Sequence, residues 1–264
     1  MKPISELLRS LAAGEISIEQ AEQSLASREI EAIDGATVDR GRKARCGFGE
    51  VIYGEGKPAD LIVRVAEKLL ELSPSVLVTR LAAEVFAQIQ VPHWQMYYSP
   101  HARTLRIART AEALAVVDES SSSLRPIAVV TAGSTDAAVA EEVAETLTWM
   151  RVPFRVLTDI GVAGPQRLLA SLPALEGCAA AVVVAGMEGA LPSVVAGHVP
   201  YPVIAVPTSV GYGASLGGIT ALLSMLTSCA SNVSVVNIDA GFKGGYVAGL
   251  IACGQQVPPQ SDGE

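Results

Sequence analysis

Cys229 and Glu188 are the side chains of this chain best suited to covalent and proton-transfer chemistry. Cys229 lies in the polar run Thr227-Ser228-Cys229-Ala230-Ser231-Asn232. Its thiolate would be the nucleophile. The preceding helix disfavours that form, because a helix C-terminus is the negative end of its dipole. A basic partner from elsewhere is therefore required, and local sequence alone makes an inert thiol the commoner outcome. Glu188 falls in Gly186-Met187-Glu188-Gly189-Ala190-Leu191-Pro192, directly after an apolar run. A carboxylate there can act as a base, ligate Mg²⁺, or cap the helix that follows.

Other segments have the chemistry to hold a nucleotide. Gly133-Ser134-Thr135-Asp136 follows an apolar run and opens a helical one, so its backbone N–H groups and hydroxyls suit an anion, or simply an N-cap. Thr208 to Ser215 combines Ser209, Tyr212 and Gly213 with further glycines that permit close backbone approach. Asp159 and Asp239 each follow a β-type run, and Asp159 joins Glu188 as a candidate metal ligand. Arg40, Arg42, Arg45 and Lys57 are interleaved with glycines. Such a run is usually a solvated face, yet arginine grips phosphates and carboxylates bidentately.

The elements that must position these residues alternate. Strands are predicted at Ile127–Thr131, Phe154–Leu157, Ala180–Val184, Pro202–Val206 and Val233–Ile238. Helices are predicted at Asp136–Met150, Pro165–Ser171, Leu191–Ala196, Gly218–Ser228 and Tyr246–Ala252. Alternation of this kind gives right-handed βαβ units and a parallel sheet covered on both faces. The expected fold class is α/β, a flavodoxin-like doubly wound sheet of five parallel strands in the C-terminal part. Ligands in such sheets bind beyond the carboxyl ends of the strands. The Ser-rich stretch Asp118 to Pro126 reads as a linker, dividing a smaller N-terminal α/β domain (1–123) from the larger one (124–264). The N-terminal part reads as a helical hairpin (Ile4–Ala12 and Ile18–Ser27), a loop (Asp39–Lys57), helices at Pro58–Leu70 and Ala82–Gln88, and strands at Val76–Thr79, Gln95–Tyr98 and Thr104–Ala108.

Composition narrows the function classes. The 264 residues are 50% hydrophobic, with a formal net charge of −8. That charge disfavours nucleic acid, which recruits clustered cations. The apolar runs are short and broken by Gly and Pro, so no membrane segment is expected. The start, Met1-Lys2-Pro3-Ile4-Ser5-Glu6, lacks a signal-peptide core, and the expected location is the cytoplasm. The four cysteines, Cys46, Cys178, Cys229 and Cys253, show no CxxC spacing, which argues against zinc and redox-pair readings.

Taken together the motifs resemble a known family. The second half resembles the class I phosphoribosylaminoimidazole carboxylases. From about residue 39 onward the chain is similar to their relatives, the pyridinium-3,5-biscarboxylic acid mononucleotide synthases of nickel-pincer cofactor synthesis. The match is carried by Asp39-Arg40-Gly41-Arg42, Gly47 to Lys57, the Thr131 to Asp136 turn, Asp159 to Gly164, Ala185 to Pro192, Ala205 to Ser215 and Val235 to Asp239. Cys229 lies where the synthases have their thiol. The purine carboxylases carry a histidine just before the Leu-Pro of the third loop. Ala190 stands there in this chain, against purine carboxylation. The stretch after strand five, Asp239 to Gly244, also differs from the usual synthase pattern.

The resemblance implies carboxylation of the pyridinium ring of nicotinic acid adenine dinucleotide by CO₂ or bicarbonate, with hydrolysis of the phosphoanhydride to release AMP. It implies Cys229 as nucleophile, Glu188 as catalytic acid–base or metal-binding group, and Mg²⁺ as cofactor. Arg40, Arg42, Arg45, Lys57, Gly133, Ser134, Asp136, Asp159, Gly186, Met187, Ser209, Tyr212 and Gly213 become the binding residues. The class I purine carboxylases are octamers with shared sites, so a homo-octamer is expected. The alternatives are an aminoimidazole ribonucleotide carboxylase or mutase, and a non-catalytic nucleotide-binding module.

Overall fold

A computed structural model describes residues 4–21 and 30–255. The chain folds around two sheets. The C-terminal sheet is formed by β7 (Ile127–Thr131), β8 (Phe154–Leu157), β9 (Ala180–Ala185), β10 (Val203–Pro207) and β11 (Val233–Val235). Its five strands are ordered β11-β10-β9-β7-β8, and every pairing is parallel. This is the expected flavodoxin-like α/β arrangement, with its topological switch between β7 and β9. β7, β9 and β10 are buried on both faces, which is why Ala180–Ala185 reads as an unbroken Ala/Val run rather than an alternating one. The N-terminal sheet has the order β3-β4-β6-β5, from Ile52–Tyr53, Ser75–Thr79, Thr104–Ala108 and Gln95–Ser99, and mixes parallel with antiparallel pairs. A separate hairpin pairs β1 (Ile30–Ile33) with β2 (Ala36–Asp39).

One helix is shared by the two sheets. It runs Ala137–Trp149 and packs on the C-terminal sheet, on β4 and β6, and on the helix Gly241–Gly254. Its apolar residues Val143 and Leu147 are fully buried, and Glu142 and Glu145 are buried beside them. The acids dock the N-terminal domain. Arg106 Nε donates to Glu145 Oε2 at 2.6 Å, with both side chains nearly inaccessible. Arg106 also donates to the Leu114 carbonyl and lies over the Tyr97 ring. Removing one partner of such a pair leaves a buried charge and costs roughly 3–5 kcal/mol. Ser99 donates to Glu141, and the Trp149 indole donates to the Ser75 carbonyl at 3.4 Å.

Several elements differ from the sequence expectation. The last helix starts at Gly241, not Tyr246. Glycines are poor helix formers in isolation, but here they permit close approach within the chain. A methyl group at Gly241 would strike the Val139 carbonyl, one at Gly245 would crowd Thr146, and one at Gly244 would meet Val182 and Val206. This glycine face serves the internal helix–helix and helix–sheet contacts. β11 ends at Val235, three residues early, because the Asn237 side chain accepts from the Ile238 N–H and Asp239 turns into the left-handed region (φ 53°). The stretch 39–57 is not a plain loop: it holds the helix Arg42–Cys46 and strand β3. The linker is anchored through Glu119, which pairs with Arg155. Of the second predicted N-terminal helix, residues 18–21 are helical, and 22–27 lie outside the described residues.

Candidate active site

The loops after β7, β9 and β10 meet at the carboxyl edge of the C-terminal sheet. The buried Asp136 holds them together. Its Oδ1 accepts from the Thr208 hydroxyl at 2.8 Å, its Oδ2 from the Gly133 N–H at 3.0 Å, and the Gly186 N–H also binds it. Burial outweighs these donors and raises the Asp136 carboxyl above the usual carboxylate range. Met187 N–H donates to the Val210 carbonyl at 2.9 Å, and a Cβ on Gly186 would collide with that carbonyl. Glycine at 186 is thus required by the close approach of two loops.

These loops enclose a cleft of about 230 Å³, lined by Gly133, Asp136, Gly186, Met187 and Glu188, with Gly161 and Arg167 on the side of the β8 loop. Glu188 is exposed in it. Arg167 pairs with Asp159 at 2.6 Å, and both side chains are largely exposed. Such pairs contribute only about 0–1 kcal/mol, so Arg167 is available to an anionic ligand. Asp159 and Met187 both have positive φ, 57° and 53°.

A second cleft, of about 240 Å³, adjoins the first and shares Thr135 and Val210 with it. It lies between the domains. Arg80 from the end of β4 and the turn residues His101 and Arg103 form one wall, and Glu142, Ser209 and Asp239 the other. Arg80 donates to the Asp239 carbonyl and stands 3.9 Å from Glu142. Asp239 Oδ1 accepts from the Ser209 N–H at 2.9 Å. Burial raises the Glu142 carboxyl, opposed by Arg80 and by the N–H groups of Phe242 and Gly241.

The remaining predicted residues lie elsewhere in the single chain. Ser134 is exposed in the short 3₁₀ turn before the shared helix, and Tyr212 and Gly213 are exposed beyond the β10 loop. Arg40 pairs with Glu31 and Glu71, Arg45 with Asp39, and Arg42 lies against the Tyr246 phenol. Lys57 donates to the Tyr53 carbonyl at 2.8 Å. None of these four lines either cleft. Cys229 is exposed before β11, and β11 runs parallel to β10. It therefore sits toward the amino edge of the sheet, opposite Glu188. Its loop is pinned there by Ser228 Oγ, 2.7 Å from Ser193 Oγ, and by the Asn232 amide, which donates to the Ala196, Val199 and Tyr201 carbonyls.

Sequence reading missed Arg80, His101, Arg103, Arg167 and Thr208 as site residues. Arg80 ends a strand just as Glu188 follows one, but in a mixed sheet that position carries no general meaning. Among the described residues no three His, Cys, Asp or Glu side chains gather as a metal site, and no helix is long and apolar enough to cross a membrane.

Comparison with known proteins places both halves. Residues 30–109 match the LarB/PurE-like N-terminal domain, and residues 126–257 match AIR carboxylase. An uncharacterised protein of Methanocaldococcus jannaschii is 37% identical over 256 residues, covering 95% of this chain and 97% of its own. The domain that docks through Arg106 and the domain that carries the strand-end loops thus occur together in one recognised arrangement of the carboxylase type: the chain belongs to the LarB-related AIR carboxylase family.

Proposed function

We propose that the protein carboxylates the pyridinium ring of nicotinic acid adenine dinucleotide at C5 and hydrolyses its phosphoanhydride, giving pyridinium-3,5-biscarboxylic acid mononucleotide and AMP. The observation that carries this reading is the union, in one chain, of a LarB-type N-terminal domain with an AIR carboxylase domain that has Ala190 at the third loop. A chemistry other than histidine-assisted purine carboxylation is then needed. Cys229 and Glu188 supply it.

The pyridinium ring is electron-poor and does not attack CO₂. Addition of the Cys229 thiolate at C4 gives a dihydropyridine whose C5 is an enamine carbon, and that carbon attacks CO₂. Glu188 removes the C5 proton. Expulsion of the thiolate restores the aromatic ring, so one hard step becomes several easier ones. Mg²⁺ is commonly held by one or two carboxylates together with substrate phosphates. Glu188 is the exposed carboxylate of the first cleft, suited to share such an ion, whereas Asp159 does not line that cleft. Mg²⁺ held there would supply charge neutralisation at the phosphates for anhydride cleavage.

The thiol and the cleft belong to different edges of one sheet, so the working site joins two subunits. Supporting this, the helix Ile219–Leu226 next to Cys229 exposes Ile219, Leu223 and Leu226, at 42%, 57% and 60%, as one stripe. Leu216 and Tyr212 continue it toward the cleft. An apolar stripe of this kind marks a protein contact. A neighbouring subunit on this surface brings a thiol toward a cleft. The test is direct. Protein, dinucleotide, bicarbonate and Mg²⁺ are incubated, and mass spectrometry looks for AMP and a ring product heavier by one carboxyl group. Absence of both refutes the reading.

A further inference from the structure

We propose that the cleft between the domains is a nucleoside monophosphate subsite of the same active site, with Arg103 as its phosphate-binding residue. It rests on the reading above insofar as the monophosphate there is the AMP half of the dinucleotide.

Three observations carry it. The first is contiguity. The interdomain cleft shares Thr135 and Val210 with the cleft that holds Glu188. Each is about 230–240 Å³, below the roughly 300–1,000 Å³ of ordinary small-molecule sites. A two-part ligand with a phosphate bridge fits the pair better than it fits either one.

The second is backbone strain. Seven non-glycine residues among those described have positive φ, and three of them, Arg80 (55°), Arg103 (52°) and Asp239 (53°), line this one cleft. Glycine is the natural residue for that conformation. Strained residues persist where the surroundings over-determine them, and they cluster at functional sites. Arg80 and Arg103 are tied across two strand ends: Leu81 N–H donates to the Arg103 carbonyl at 2.7 Å, and Arg103 Nη2 donates to the Arg80 carbonyl at 3.5 Å.

The third is the division of labour among the arginines. Arg151 also has positive φ, but its guanidinium donates to the Glu112 and Ala115 carbonyls, a structural duty. Arg80 is similarly engaged by Asp239 and Glu142. Among the described residues Arg103 makes one long hydrogen bond, to a carbonyl, and no ion pair, and it is half-buried at the cleft wall. The acids of the cleft are turned to other donors, Glu142 to Arg80 and two backbone N–H groups, and Asp239 to the Ser209 N–H. That leaves the forked donor set of Arg103 for an anion, and guanidinium matches a phosphate bidentately. His101, exposed beside it and 3.7 Å from Glu141, adds a further donor at the rim.

The experiment is calorimetric titration of the intact protein with AMP and, separately, with nicotinic acid mononucleotide. Arg103→Ala should raise the AMP dissociation constant tenfold or more and leave that of the mononucleotide unchanged. Arg103→Lys should recover part of the loss, because charge returns without the fork. The thermal midpoint should be that of the wild type, since the Arg103 side chain makes, among the described residues, a single long hydrogen bond. Equal AMP affinity in wild type and Arg103→Ala, or no AMP binding by the wild type, overturns the proposal. Dinucleotide turnover separates it from the wider reading. Turnover with an unchanged KM in Arg103→Ala refutes the subsite and leaves the reaction standing. Arg103-dependent AMP binding without any dinucleotide turnover refutes the reaction and leaves the subsite standing.

Discussion

The Thr208 hydroxyl donates to the Asp136 carboxylate at 2.8 Å, and through that bond the loop after the fourth strand of the C-terminal sheet is locked to the loop after its first. Both residues are buried, with Thr208 at 0% and Asp136 at 3% exposure. Thr208→Val keeps the shape and removes the donor. Hydrogen bonds to charged groups contribute about 1.5–3 kcal/mol, so a loss of that size is expected in urea denaturation. Thr208→Ser should restore most of it. A valine variant as stable as the wild type would show that the bond does not hold the loops.

Cys229→Ser should retain dinucleotide binding and lose detectable carboxylation, because an alcohol is a poorer nucleophile and leaving group than a thiolate at neutral pH. Intact-mass spectrometry should find a dinucleotide adduct on the wild type and not on the variant. A serine variant with near-normal turnover removes Cys229 from the mechanism.

Glu188→Gln should lower turnover by roughly 10²–10⁴-fold, the usual effect of losing a positioned base. Its melting temperature should not change, since the side chain is exposed. Normal turnover per folded molecule, with a clear loss of stability, would make Glu188 a helix cap instead.

Mixing inactive Cys229→Ser and inactive Glu188→Gln subunits, under conditions of subunit exchange, should recover part of the activity. Each hybrid site formed by an intact thiol on one subunit and an intact carboxylate on another is complete. No recovery despite proven exchange, or full activity in a monomer by light scattering, contradicts a site joined between subunits.

The buried Glu142 predicts a pH effect on stability. Burial raises its carboxyl above the ordinary 4.5. A group that holds its proton more tightly in the folded state contributes stability below its unfolded pKa, and that contribution is lost as pH rises through the folded value. Between 4.5 and the neutral range, wild-type unfolding free energy should therefore fall more steeply with pH than that of Glu142→Gln, which cannot ionise. Asp136 and Glu145 shift in the same direction in both proteins and cancel in the comparison. Parallel pH profiles would show that Arg80 and the backbone donors fully offset the burial.

The sequence by itself determined the α/β alternation of the second half and the loops that close its ligand edge. Those features are local: runs such as Ala180–Ala185 can be read as buried parallel strands, and Gly/Ser/Asp turns after them as strand-end loops. Strand order along the chain also put Cys229 and Glu188 at opposite edges, since parallel strands fix which end each connection occupies. Tertiary structure alone decided three things. Gly241 and Gly245 sit within a helix because the shared helix lies too close for a side chain at either position, a constraint visible only once both helices are placed. Arg40 and Arg45, legible as a cationic run, were claimed by acids, Arg40 by Glu31 of β1 and by Glu71, and Arg45 by Asp39 at the end of β2. Arg80 and Arg103, 23 residues apart in the chain, reached one cleft wall only because β4 and β6 pair antiparallel and dock against the helix that begins at Ala137. Periodicity reports what each segment buries, whereas a wall between domains depends on how two finished sheets meet.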